Sequence, residues 1–134
     1  MKSKIIKWVP AEFVNNSIYN IKSIVDNFNG LTIILECRNT SELLSIKWSS
    51  MVESYRCSTE EARFRFISDE WQAIRNEFPD WSFFKAIDSS YIKWVNEESG
   101  NLIDEKILNH YIIITSDYVL DIVSSHKPYE CCKN

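Results

Sequence analysis

Glycine and proline are scarce in this chain, with Gly 2 and Pro 3. Such counts exclude a collagen-like, low-complexity or loop-dominated protein. With Gly30 and Gly100 alone, no glycine-rich turn is available to cradle phosphate. Histidine is as rare as glycine. His110 and His126 lie in no GxSxG or cysteine-protease signature, and neither stands at zinc-finger spacing from Cys37, Cys57, Cys131 or Cys132. No CxxC occurs, so no catalytic, cofactor-binding or metal-binding residue is assigned. No apolar run approaches the length of a membrane span, and the opening MKSKIIKWVPAEF has no apolar h-region. A cytoplasmic protein with reduced thiols is therefore expected, with no membrane association. An excess of basic charge is also missing. The formal charge is −4 and the pI about 5.2. That balance speaks against a nucleic-acid binder and suits a basic protein partner.

Aromatic residues are plentiful, at 13% with five tryptophans, and 134 residues are enough for one domain, residues 1–134, with a real core. The chain is organised around Trp81–Ser99. A short aromatic run, Trp81 to Ile87, suits a buried strand. Asp88, Ser89 and Ser90 can each cap a helix. Ile87, Tyr91, Trp94 and Val95 then share one helical face at i, i+4, i+7, i+8, and Gly100 ends the helix.

Residues 1–16 read as a leading segment in which Pro10 blocks regular structure. Ser17–Val25 fits a first strand or a helical turn, the strand being preferred. Leu31–Cys37 is a β-branched apolar strand. Glu42–Ser49 alternates, with Leu44, Ile46 and Trp48 on one face, and the two form a hairpin over Leu31–Ser49. Ser58 to Glu61 has the form of a capping box, followed by Phe64, Ile67, Trp71, Ile74 and Phe78 at helical steps, which predicts a helix from about Ser58 to Phe78 closed by Pro79. His110–Ser124 reads as a second hairpin, and residues 125–134 as a polar tail. Cys37 and Cys57 are expected to be small buried hydrophobes, and Cys131 and Cys132 exposed. The fold class is α+β: a mainly antiparallel sheet covered by about two helices.

His110 opens an apolar strand and is better explained as a core or edge histidine than as a catalytic base. The adjacent pairs Glu60-Glu61 and Glu97-Glu98 point about 100° apart on a helix, so neither forms a carboxylate dyad. The aromatics fall at core spacing without basic runs, which favours packing over base stacking.

Three passages resemble a family of bacterial immunity proteins of contact-dependent growth inhibition and related polymorphic toxin systems: SYRCSTEEARF with Tyr55, Arg56, Glu60 and Arg63; SSYIKWVNEESGN; and HYIIITSDYVLDIVSSHKP. The resemblance implies a cytosolic antidote without enzymatic activity that binds the C-terminal toxin domain of a cognate effector, often a nuclease, and occludes its active site. It also implies that Tyr55, Arg56, Arg63, Tyr91, Trp94, His110 and Asp121 are residues of the fold, Trp94 and Tyr91 by spacing in the core. The chain departs from its relatives around Ser58-Thr59 and Glu61-Ala62, where they carry a more acidic, glycine-containing turn. Recognition of one cognate toxin needs variable surface, which points to Glu60, Glu61, Glu97, Glu98, Asp104 and Glu105. The competing readings are a small hydrolase using His110 with a nearby acid, and a nucleic-acid-binding domain.

Overall fold

The structure is a computed structural model that describes residues 4–63 and 72–133. It is an α+β fold in which every neighbouring strand pair is antiparallel. The strands are β1 (Lys4–Lys7), β2 (Tyr19–Asn27), β3 (Gly30–Cys37), β4 (Leu43–Trp48), β5 (Ser54–Thr59), β6 (Phe83–Ile87), β7 (Asn109–Ile114), β8 (Tyr118–Ser124) and β9 (Glu130–Lys133). Helices α1 (Gln72–Glu77) and α2 (Ser90–Glu98) and two short 3-10 turns, Glu61–Arg63 and Glu105–Ile107, complete the described elements. The strands divide into two sheets, ordered β1-β6-β7-β8-β5 and β2-β3-β4-β9.

Both expected hairpins form. In β3 and β4 the alternation places Leu31, Ile33 and Leu35 opposite Trp48, Ile46 and Leu44, all buried, and this face looks onto the five-stranded sheet. Trp48 meets Tyr111 at 5.6 Å and Tyr19 meets Phe83 at 5.3 Å between ring centroids, so aromatic contacts join the two layers. Each fully buried large apolar side chain contributes roughly 1.5–3 kcal/mol. Gly30 opens β3 at φ +126°, and a Cβ there would lie 1.9 Å from the Trp48 carbonyl oxygen, so no other residue fits this turn without displacing β4.

The central strands β7 and β8 are buried on both faces. Tyr111, Ile113, Leu120 and Ile122 face the other sheet, while His110, Ile112, Asp121 and Val123 occupy the opposite face. Helix α2 lies on that opposite face, with Tyr91, Ile92 and Val95 packed against Val123 and Leu108.

Several expectations are corrected. The leading segment is not irregular throughout: β1 pairs with β6, Trp8 N–H donates to the Phe83 carbonyl at 3.0 Å, and Trp81 Nε1 donates to the Trp8 carbonyl at 2.9 Å. The tail is not idle, because Glu130–Lys133 adds to β4 and half-buries Cys131 and Cys132. Ser58 and Thr59 belong to β5 rather than to a capping box, and the Thr59 hydroxyl instead accepts from Ala62 N–H at 3.3 Å. Of the expected helix Ser58–Phe78, only Gln72–Glu77 is a described helix; Phe64, Ile67 and Trp71 lie outside the described residues. Cys57 is exposed on edge strand β5, whereas Cys37 is buried. Among the described residues, no helix is long and apolar enough to cross a membrane.

Candidate functional site

The strand β6 leaves the sheet through Asp88, which has φ +55°, and Ser89 then caps α2 by accepting from Ile92 N–H at 3.1 Å. The same Ser89 oxygen lies 2.6 Å from His110 Nδ1, and His110 Nε2 lies 2.6 Å from Asp121 Oδ1. The other carboxylate oxygen of Asp121 accepts from Arg56 Nε at 3.1 Å and from Arg63 Nη1. Through its two ring nitrogens His110 thus bridges the Ser89 hydroxyl and the Asp121 carboxylate, while the Ser89 oxygen also accepts from Ile92 N–H.

Asp121 is completely buried, and burial works to raise its carboxyl. The hydrogen bond and charge of His110, with the guanidinium charges of Arg63 and Arg56, outweigh that burial and hold the carboxyl below its ordinary value. Arg56 also lies 4.1 Å over the Tyr91 ring, and the Tyr91 hydroxyl bonds Ser54. Burial raises the Tyr91 phenol, with the Ser54 hydrogen bond and the Arg56 charge partly opposing it, so the phenol stays protonated. The network ties β5, β7, β8, the Glu61–Arg63 turn and the N-terminus of α2 to one carboxylate. A buried pair of this kind fixes geometry more than it adds stability.

Five of the residues named from sequence meet here: Arg56, Arg63, Tyr91, His110 and Asp121. Tyr55 does not join them, since it pairs with Ile122 and so points to the other face of the sheet. Ser89, the link between helix and sheet, was anticipated only as one of three possible caps. Trp94 is corrected most sharply. It was expected in the core, yet it is 51% exposed, while Ile92 takes the buried position beside Tyr91 and Val95. The helix is rotated so that Tyr91 meets His110 edge-on at 5.4 Å, which turns Trp94 outward; Ile87, expected on the same helical face, ends β6 instead and is exposed.

The acidic candidates fall in two places. Glu60 and Glu61 are exposed beyond the Thr59 end of β5, where Glu60 N–H donates to the Asp117 carbonyl at 2.8 Å. Glu97 and Glu98 are exposed on α2, which is linked to the Ser54 end of that strand. Asp104 caps the second 3-10 turn by accepting from Lys106 N–H at 2.9 Å, and Glu105 is exposed beside it. Ser99 Oγ accepts from Ile103 N–H at 3.1 Å, holding this loop against α2. Trp94, Glu97 and Glu98 share a helical face by their spacing, and Leu102 and Ile107 in the loop that follows α2 are also exposed.

A cleft of about 380 Å³ opens beside the network, lined by Ile6, Lys85, Ser89, Lys93, Lys106 and His110 among others. A second hollow of about 280 Å³ is lined by Ser54, Tyr55, Arg56, Tyr91 and Trp94. Among the described residues, no group of three or more His, Cys, Asp or Glu side chains is placed to hold a metal ion. No protein-family model matches this chain, and neither a curated protein nor a solved structure matches it.

Proposed function

We propose that this protein is a cytosolic immunity protein that binds the C-terminal toxin domain of a cognate effector and neutralises it without turnover. The observation that carries the reading is the outward face of α2, where a half-exposed tryptophan stands beside two exposed carboxylates on a helix anchored by buried polar contacts. Tryptophan is a favoured anchor of protein interfaces. A rim of carboxylates speeds encounter with a basic partner, and the net charge of −4 agrees with that. The resemblance of the passages around Arg56, Tyr91 and Asp121 to immunity proteins supports the same reading. Inhibition would then be occlusion of the toxin's active cleft.

Co-expression with the toxin domain encoded beside this gene tests it. Survival that requires a 1:1 complex is the expected result. Absence of protection, or protection far below stoichiometry, would remove the reading.

The Ser89–His110–Asp121 relay beside a cleft favours a second reading, a serine hydrolase. Two features weigh against it. Ser89 is 3% exposed and His110 5%, and the Ser89 oxygen already accepts the helix-capping bond. A fluorophosphonate probe that labels Ser89 in the wild-type protein would put the hydrolase in front.

A further inference from the structure

We infer that the hollow between β5 and α2 is the anchor pocket of the partner interface, and that it takes a carboxylate side chain of a protein segment that is otherwise basic. The inference rests on the reading that this face meets a protein partner. Its floor is Arg56, whose Nε is engaged by Asp121 while its side chain remains 43% exposed. Among the described residues the hydrogen bond seen for Arg56 is the one from Nε, so the Nη donors remain available on a side chain that lines the hollow. A planar guanidinium whose carbon lies 4.1 Å from the Tyr91 ring centroid and whose Nε is held by a buried carboxylate is preorganised for a second carboxylate. The Tyr91 and Ser54 hydroxyls bond each other, and whichever of them accepts retains a hydrogen to donate outward.

Trp94 forms the wall, its ring centroid 6.0 Å from that of Tyr91, and it can close over the ion pair and exclude water. Glu97 and Glu98 follow one turn further along the same face. A wholly acidic segment would be repelled by them, and a wholly basic one would meet Arg56 unfavourably. The charge pattern therefore selects an acidic residue flanked by lysine or arginine.

A random-peptide display library panned on the full-length protein tests this without knowledge of the toxin. The expected consensus has one Asp or Glu between basic residues. The enriched peptides should bind Trp94→Ala and Arg56→Lys at least about tenfold more weakly, ~1.4 kcal/mol. Thermal melts establish that each variant is folded. Should Arg56→Lys fail to fold, Trp94→Ala decides, because its side chain is half-exposed. Peptides without an acidic consensus, no enrichment, or equal binding to wild type and Trp94→Ala would each overturn the inference. Selection of such peptides by a protein that fails to neutralise the toxin would remove the antidote and leave the pocket standing. Neutralisation by a protein whose peptides ignore Arg56 and Trp94 would do the reverse.

Discussion

His110 on β7 and Asp121 on β8 are not register partners, since His110 faces Val123 and Asp121 faces Ile112, yet their side chains meet diagonally at 2.6 Å. The diagonal matters because it leaves the second oxygen of Asp121 to the arginines on the β5 side. One buried carboxylate thereby positions an imidazole that holds a helix cap and a guanidinium that floors a surface hollow.

Asp121→Asn keeps the shape but removes the buried charge that pairs with Arg63, and breaking a buried pair in this way costs roughly 3–5 kcal/mol. Arg56 is nearly half exposed and solvent screens it, so Arg56→Lys should cost far less. Urea melts of the two variants check the ranking. Near-equal midpoints would mean that the arginines are not organised by Asp121.

Acid should weaken the fold through the same residue. The native carboxyl sits below its ordinary value of 3.8. A depressed native pKa means that its contribution is fully present above the unfolded value and is lost as pH falls through the native one. Stability of the wild type should therefore drop more steeply than that of Asp121→Asn below about pH 4. Chemical melts over that range measure the difference, and parallel curves would exclude Asp121 as the source.

Trp94→Ala was expected from helical spacing to lose a core aromatic, at roughly 3–5 kcal/mol. Its 51% exposure lowers the expected loss to under about 1 kcal/mol, most of it the contact with Tyr91. Leu120→Ala, by contrast, empties a fully buried site and should cost roughly 2–5 kcal/mol. Equilibrium denaturation of both variants separates surface from core.

A chain ending at Pro128 should melt lower and self-associate. Loss of β9 strips β4 of its partner from Leu44 to Lys47 and uncovers a sheet edge. Calorimetry with light scattering reads both effects. Superimposable traces would mean that residues 129–134 do not stabilise β4.

What the sequence by itself determined was local. The β-branched apolar run LTIILEC committed β3, and the alternation in ELLSIKWS committed β4, because one buried face repeats every second residue. The polar breaks at Asn39–Ser41 and Ser116-Asp117 closed the two hairpins, and Ser89 supplied a cap where a strand gave way to a helix. The α+β class followed from these elements together. Tertiary structure decided the rest, because it depends on which element meets which. Ser54–Thr59 carries Arg56 and too little apolar alternation to announce a strand, and it becomes one only by pairing with β8. Residues 130–133 are a strand only because the β4 edge is open to them. Helical spacing put Tyr91, Trp94 and Val95 on one face, but a stripe of that width does not fix its own rotation. The contact of Tyr91 with His110 set the angle, burying Ile92 and turning Trp94 to the surface. The convergence of Arg56, Arg63 and His110 on the Asp121 carboxylate was invisible for the same reason. Sequence separations of up to 65 residues are closed by strand order, and strand order is a property of the packed sheet.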